Sequence, residues 1–210
     1  MRLAIVDDDT LIRESLKIII GADPQIEVVG TAANGKEALS LLEKGNVDIL
    51  LLDLRMPIMD GIELLKYLHK QEKMLPVLVL TTFDEEELIR EAISNGAAGF
   101  VLKNSTPDKI LAAIKAVFAG NGAFEKEVVH KLNSQLKGSS HKMEVYELTA
   151  REEEIVEGIA EGLSNKEIAS KLYISEGTVK NYITSILTKM NLTHRTQIAI
   201  CYLKYGGDKR

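Results

Sequence analysis

The chain has 210 residues, 45% hydrophobic and 27% charged, which suits a globular protein of one large domain or two small ones. No apolar run approaches the roughly 18 residues of a membrane span, and the N-terminus leads directly into a strand without a cationic targeting segment. The single cysteine, Cys201, excludes an internal disulfide framework and fits a reducing compartment, so we expect a cytoplasmic protein.

The net charge of −5 is unevenly distributed along the chain. Residues 1–124 hold 13 Lys and Arg against 19 Asp and Glu, whereas residues 125–210 hold 13 against 12. Within residues 165–204 there are 6 cations and 2 acids. An acidic first half and a locally basic second half indicate different partners for the two parts of the chain.

Strands and helices alternate through the first part of the sequence. Apolar runs predict strands at 2–6, 27–31, 49–53, 76–81 and 98–103. Helical spacing predicts helices at 10–20, 36–44 and 61–69, and two further helices beginning near Asp84 and at Thr106. The first helix carries Leu11, Leu16, Ile18 and Ile19 at helical spacing. Five strands alternating with five helices predict an α/β domain with a doubly wound, five-stranded parallel sheet.

The second part of the sequence is predicted to be helical. Gly120 and Gly122 end the first unit, a short amphipathic helix is predicted at 125–136, and 137–142 has the composition of a linker. Thr149 and Glu152 have the spacing of a capping box, and helices are predicted at 150–161, 165–172, 176–190 and 195–205. We therefore expect domains at 1–120 and 147–210, joined by a linker at 121–146.

Polar residues collect where the predicted parallel strands end. Because these ends lie on one edge of the sheet, we expect Asp7, Asp8, Asp53, Thr81 and Lys103 to meet there. Crowded carboxylates call for a cation, and oxygen ligands favour a hard ion such as Mg²⁺. The lysine suits a phosphoryl oxygen, so the set fits phosphoryl transfer to a carboxylate. Taken singly, Asp7 and Asp8 could instead cap the first helix, and Lys103 could be a surface lysine.

Together these motifs resemble the receiver domain of bacterial response regulators, which has a flavodoxin-like fold. The resemblance covers residues 1–120 and is carried by Asp7-Asp8-Asp9, Asp53 with Met56-Pro57, Thr81-Thr82, and Phe100 with Lys103. It implies that Asp53 accepts a phosphoryl group from a sensor histidine kinase and that Lys103 contacts that group. It also implies that Thr81 and Phe100 form a switch pair, and that the Mg²⁺ ligands are Asp8, Asp53 and the Arg55 backbone carbonyl, with Asp7 in direct or water-mediated support.

Two departures from the receiver pattern bear on the site. Asn104 stands where many receivers have proline, which makes a cis peptide there less assured, and Asp9 adds an acid whose role is open. The stretch from Leu3 to Thr10 also resembles the first motif of haloacid dehalogenase-type phosphatases, with Asp7 as nucleophile and Asp9 as proton donor. Against that alternative, the sequence offers no paired late acids and no cap domain, so we do not expect an enzyme.

Residues 165–184 have the layout of a helix-turn-helix, in which a polar, cationic face of the second helix could enter the major groove. That face carries Thr178, Lys180, Asn181, Thr184, Ser185 and Lys189. With Leu148–Glu152, Gly162–Lys166 and Asn191-Leu192, the segment 147–205 resembles the four-helix DNA-binding domain of the NarL/FixJ (LuxR-type) regulators.

This second resemblance implies a DNA-binding transcriptional regulator. Lys180, Asn181 and Thr184 would meet base edges of double-stranded promoter DNA, with Lys166 and Thr178 nearer the phosphates. Thr184 departs from a lysine found in some relatives. The last helix would supply the contact of an activated homodimer through Ile198, Cys201 and Tyr202. The alternative, a purely protein-binding regulator, would show no salt-dependent affinity for DNA.

Overall fold

The structure is a computed structural model and describes residues 1–71, 75–82, 86–121, 123–124, 146–192 and 194–205. The chain divides into two compact units, Met1–Glu125 and Lys126–Arg210. The predicted helix at 125–136 and linker at 137–142 lie outside the described residues. Nothing in the described part of the chain has the length and apolar character of a membrane-crossing helix.

The first unit is a parallel sheet with helices between its strands, as the alternation of apolar runs predicts. Its elements are β1 (Arg2–Val6), α1 (Thr10–Gly21), β2 (Glu27–Ala32), α2 (Gly35–Glu43), β3 (Ile49–Asp53), α3 (Gly61–Lys70), β4 (Val77–Thr81), α4 (Glu86–Ser94), β5 (Gly99–Leu102), α5 (Pro107–Phe118) and β6 (Ala123–Phe124). The strand order is β2-β1-β3-β4-β5-β6 and every pairing is parallel.

The sheet positions the site because its central strands are buried on both faces. All five residues of β3 and of β4 are buried, which accounts for their continuous apolar sequence. Leu3 and Leu51 pack with Ile114 of α5 in one core cluster, and each such side chain contributes about 1.5–3 kcal/mol by its burial. The shared strand direction brings the carboxyl ends of β1, β3, β4 and β5 to one edge.

A sixth strand, β6, extends the predicted five-stranded sheet. Ala123 and Phe124 pair with Gly99 and Phe100 of β5. Gly99 permits this approach, since a Cβ there would lie 2.8 Å from the Ala123 carbonyl oxygen and from a methyl carbon of Val117. Two residues are too few to show strand periodicity, so the apolar runs of the sequence predict a sheet that ends at β5.

The apolar face of α1 differs from the predicted one. Leu16 and Ile20 are buried against the sheet, whereas Leu11 is 77% exposed and Ile18 is 73% exposed. Apolar residues therefore lie on two sides of this helix. Spacing alone did not distinguish the side that packs on the sheet.

The second unit is helical in its described part. Its helices are α6 (Ala150–Ala160), α7 (Asn165–Leu172), α8 (Glu176–Met190) and α9 (Arg195–Tyr205), close to the predicted bounds. Thr149 and Glu152 form the predicted capping box of α6. Ile155, Ile168 and Ile186 contribute to one core shared by these helices.

Candidate functional site

Three predicted site residues converge at the carboxyl edge of the sheet. The Lys103 ammonium lies 2.8 Å from Oδ2 of Asp7 and 3.0 Å from Oδ2 of Asp53. Asp7 follows β1, Asp53 ends β3 and Lys103 follows β5, so the parallel topology brings together residues that are far apart in the chain. Asp7 is 0% and Asp53 3% exposed, and Lys103 reaches them from a partly exposed position.

Asp8 joins Asp7 and Asp53 in a cluster that can hold a cation. One carboxylate oxygen from each of the three residues lies within 4.8 Å of the others. An all-carboxylate donor set is the chemistry that hard divalent ions prefer, so these residues fit Mg²⁺. Asp8 is exposed whereas the other two acids are buried. The role of the Arg55 backbone carbonyl as a ligand stays a prediction.

The electrostatics of this site are set by burial and by the lysine. Burial raises the pKa of Asp53 to about 6, although the hydrogen bond and charge of Lys103 act to lower it. Burial acts to lower the pKa of Lys103, but hydrogen bonds to Asp7 and Asp53 outweigh burial and leave that pKa raised. At neutral pH the site therefore holds a carboxylate at Asp53 beside a charged ammonium.

The role of Asp9, left open by the sequence, is to cap α1. Its Oδ1 accepts hydrogen bonds from the backbone amides of Leu11 at 2.8 Å and Ile12 at 3.2 Å. Its own amide donates to Oδ1 of Asp7 at 2.9 Å. The cap of α1 is therefore Asp9 and not Asp7 or Asp8. A carboxylate committed to a helix cap is also poorly placed to act as the proton donor of the phosphatase alternative.

The two predicted switch residues lie on neighbouring strands. Thr81 ends β4, is 0% exposed and donates a hydrogen bond from its hydroxyl to the Thr82 carbonyl at 3.1 Å. The amide of Lys103 donates to the Thr81 carbonyl at 2.8 Å, which links the ends of the two strands. Phe100, in β5, has its ring buried at 0% exposure. No peptide bond in the described ranges is cis, including the bond before Asn104.

The loop after Asp53 is fixed by two glycines. A Cβ on Gly61 would overlap the Asp53 carbonyl oxygen and lie 2.8 Å from Cα of Leu54, and the Gly61 amide donates to the Leu54 carbonyl at 2.9 Å. On the other side, the Gly35 amide donates to the Met59 carbonyl at 2.9 Å. These close backbone contacts set the path of the chain past the acidic cluster.

The second candidate site is the exposed face of α8. Tyr173 ends α7 with a left-handed φ of 56°, and the Ser175 hydroxyl caps α8 by accepting from the Thr178 amide at 3.0 Å. Val179, Ile183 and Ile186 face the core. The remaining face is polar. Exposed on it are Lys180, Asn181 and Thr184, with Thr178 partly exposed, while Lys166 is exposed on α7.

Ser185 and Lys189 were predicted on this face, but the structure engages both with a buried acid. The Ser185 hydroxyl donates to Oε1 of Glu152 at 2.8 Å, and the Lys189 ammonium lies 2.7 Å from its Oε2. Burial acts to raise the pKa of Glu152, but hydrogen bonds from Lys189, from the amide and hydroxyl of Thr149, and from Ser185 lower it to about 2. Both side chains therefore tie α8 to α6. Ser185 is partly exposed and Lys189 is exposed, and their contact with DNA stays a prediction.

The predicted dimer residues of α9 differ in their exposure. Ile198 is 0% exposed inside the domain core, so its side chain does not reach a second chain, and its assignment is corrected. Cys201 is partly exposed, with its Sγ 3.6 Å from the Tyr146 hydroxyl. Tyr202 is partly exposed, and its hydroxyl donates to Oε1 of Glu157 at 3.3 Å. Contacts of Cys201 and Tyr202 with a partner stay predictions.

Sequence reasoning missed two residues of these sites. Glu152 was predicted as a helix cap, but its partners on α8 are 33 and 37 residues away and leave no local signal. Arg13 was not singled out, although its guanidinium donates to the carbonyl oxygens of Asp7 at 2.6 Å and Asp8 at 3.0 Å. A side chain that binds backbone carbonyls is not visible in a pattern of residue types.

Two family matches cover most of the chain. Residues 3–115 match the family described as "Response regulator receiver domain". Residues 146–202 match the family described as "Bacterial regulatory proteins, luxR family". The first match includes every residue of the acidic site, and the second includes α6 to α8 with most of α9.

Several relatives match this chain over nearly its whole length. LnrK, a transcriptional regulatory protein of Bacillus subtilis, is 37% identical over 98% of this chain and 98% of its own length. DevR/DosR of Mycobacterium tuberculosis, described as a DNA-binding transcriptional activator, is 34% identical over 95% and 93%. The crystal structure of ChrA, a response regulator of a heme-sensing two-component system, is similar with a TM-score of 0.56 and 33% identity, over 96% of this chain and 95% of that one. The chain therefore belongs to the two-component response regulators that join a receiver domain to a LuxR-type helix-turn-helix domain.

Proposed function

We propose that phosphorylation of Asp53 switches on dimerisation and promoter binding by this regulator. The observation that carries the proposal is the position of the Lys103 ammonium between the buried carboxylates of Asp53 and Asp7, at 3.0 and 2.8 Å. An acceptor carboxylate, a second acid and a fixed cation lie at one sheet edge, where a phosphoryl group would need its charge stabilised.

In the proposed reaction, a carboxylate oxygen of Asp53 attacks the phosphorus of a phosphohistidine on a sensor histidine kinase. The O–P bond forms as the P–N bond breaks, and the imidazole nitrogen leaves with the electron pair. Asp8, Asp53 and the Arg55 backbone carbonyl would hold Mg²⁺, with Asp7 in direct or water-mediated support, and the bound ion would offset the negative charge of the phosphoryl group. Lys103 contributes a point charge to one of those oxygens.

The proposed switch runs from the phosphoryl group to the surface of the receiver. The Thr81 hydroxyl, which now donates to its neighbour's carbonyl at 3.1 Å, turns to donate to a phosphoryl oxygen. Phe100, in the adjacent strand, then fills the space that the Thr81 side chain has left, and the surface around α4 and α5 changes. This is a local charge event that biases an element with two arrangements. Dimerisation then raises DNA affinity because two weakly binding modules are held together.

On DNA, Lys180, Asn181 and Thr184 of α8 meet base edges in the major groove, with Lys166 and Thr178 nearer the phosphates. The exposure of the first three side chains supports this assignment, as does the DNA-binding activity stated for DevR/DosR. Thr184 donates its hydroxyl to the Lys180 carbonyl at 3.1 Å, so its contribution on DNA is as an acceptor or through its methyl group. Since promoter DNA is its partner, we place the protein in the cytoplasm.

The test compares the wild type with Asp53→Asn, each incubated with acetyl phosphate and Mg²⁺. Intact mass, size-exclusion chromatography and selection from a random pool of double-stranded DNA follow. We expect the wild type to gain one phosphoryl group, form dimers and enrich a palindromic sequence, and the variant to do none of these. Phosphodonor-dependent DNA binding that survives in Asp53→Asn would overturn the assignment. Absence of any salt-dependent DNA affinity would favour the protein-binding alternative.

A further inference from the structure

The guanidinium of Arg13 forms hydrogen bonds with the backbone of the acidic loop, residues 7–9. One nitrogen, Nη1, donates to the carbonyl oxygens of Asp7 at 2.6 Å and Asp8 at 3.0 Å, and Nη2 donates to the Thr10 hydroxyl at 3.1 Å. Among the described residues, Arg13 forms no ion pair with a carboxylate side chain. A single planar side chain thus joins two consecutive peptide groups of the loop to the first turns of α1.

The loop that Arg13 holds carries two of the three clustered acids. Its other restraints are local, since the Asp9 amide donates to Oδ1 of Asp7 at 2.9 Å and the Asp9 carboxylate caps α1. The exposed side chain of Asp8 makes no comparable hydrogen bond with any residue that the structure describes. The contact of Arg13 with the Asp8 carbonyl therefore fixes the peptide from which this exposed carboxylate projects.

Three consecutive acids repel one another, and a loop that relaxed away from Asp53 would lose conformational entropy again on binding a cation. Hydrogen bonds from outside the ligand set that orient the ligands commonly govern metal affinity. Arg13 provides such bonds through the backbone. Its positive charge acts in the opposite sense, because a guanidinium near the cluster repels an incoming cation.

We propose that Arg13 is a positioning residue for the divalent cation site. By bonding the Asp7 and Asp8 carbonyls, it holds the acidic loop in the cation-binding geometry before the cation arrives. This inference rests on the proposed function of the site. The two effects of Arg13 predict opposite changes in cation affinity. If Arg13 positions the loop, its removal weakens cation binding. If only its charge matters, its removal strengthens cation binding.

The test uses full-length Arg13→Met, Arg13→Lys and the matched control Lys17→Met, which removes one charge from an exposed position of the same helix. Mn²⁺ binding is measured by electron paramagnetic resonance, and amide hydrogen exchange of residues 7–12 is measured in EDTA. We expect Arg13→Met to bind Mn²⁺ about 10-fold more weakly and to exchange faster in this loop without metal. Arg13→Lys keeps a charged donor for the carbonyls but lacks the second nitrogen that bonds the Thr10 hydroxyl, so it should fall between Arg13→Met and the wild type. Lys17→Met should match the wild type.

The inference is overturned if Arg13→Met binds Mn²⁺ as tightly as the wild type or more tightly. A lowered melting temperature in EDTA with unchanged Mn²⁺ affinity would also overturn it, because it would show a structural role only. If Arg13→Met fails to fold, Arg13→Lys decides by the same criteria. Asp8→Asn and Asp53→Asn separate the two levels of the argument: unchanged Mn²⁺ binding in both would refute the cation site itself, and with it the role of Arg13.

Discussion

Replacing Glu152 with glutamine should destabilise the helix-turn-helix unit strongly at neutral pH and by about half as much at pH 3. Glu152 is 3% exposed and its carboxylate receives hydrogen bonds from Lys189, Ser185 and the amide and hydroxyl of Thr149. The change keeps the size of the side chain but removes its charge. The Lys189 ammonium would lose its ion pair but keep its hydrogen bond to the Glu147 carbonyl at 3.2 Å, and its side chain can reach water.

The magnitude follows from the pKa of Glu152, which is lowered from 4.5 to about 2 in the folded unit. At about 1.4 kcal/mol per pKa unit, the ionised carboxylate contributes about 3 kcal/mol to the free energy of unfolding. Because the folded pKa lies below the unfolded one, this contribution is complete above pH 4.5 and is lost as the pH falls through 2. At pH 3 about half of it remains.

The assay is urea unfolding of the full chain, followed by hydrogen exchange of peptides from Ala150–Met190, so that this unit is observed separately from the receiver. The difference between the wild type and Glu152→Gln should be about 3 kcal/mol at pH 7 and about half that at pH 3. Glu154→Gln is the matched control, since it breaks only an exposed pair with Arg151 and should cost under about 1 kcal/mol. A loss in Glu152→Gln below that of the control, or one that does not change with pH, would refute the reasoning.

Three further variants test other parts of the structure. Gly61→Ala should destabilise the receiver by about 1–3 kcal/mol in urea unfolding, because its Cβ would press on the backbone of Asp53, whereas Gly21→Ala, with open space around it, should not. Gly99→Ala should loosen β6, seen as faster amide exchange at Ala123 and Phe124, and unchanged exchange there would show that the close approach is not needed. Lys180→Ala should cost roughly 1–3 kcal/mol of discrimination between selected and random DNA, while Lys171→Ala, which removes an equal charge paired with Glu161, should leave the sequence preference intact.

The fold of the first unit could be predicted because its signals are local. The buried run from Ile49 to Leu52 and the alternation of strands and helices specify a parallel sheet, and a parallel sheet brings Asp7, Asp53 and Lys103 to one edge without further information. The predicted start of the first helix of the second unit followed from its capping box, Thr149 with Glu152. β6 was missed because two residues carry no period, and it depends on the absence of a side chain at Gly99.

The details of the sites depend on contacts between distant residues, which a single sequence does not reveal. A helical projection of α8 puts Ser185 and Lys189 beside Thr184, and only the packing of α6 shows that Glu152 engages them. Ile198 has the apolar character of either an interface or a core residue, and its position in the core decides between the two. Asp9 was ambiguous among three neighbouring acids until its hydrogen bonds to the amides of Leu11 and Ile12 identified it as the helix cap.

Locating the phosphoryl group on the chain tests the central claim most directly. The wild-type protein is incubated with acetyl phosphate and Mg²⁺, the acyl phosphate is reduced with borohydride, and the modified residue is identified by peptide mass spectrometry. The account predicts a single homoserine at position 53, formed only when Mg²⁺ is present. Modification at Asp7, Asp8 or Asp9 with Asp53 unchanged would contradict it.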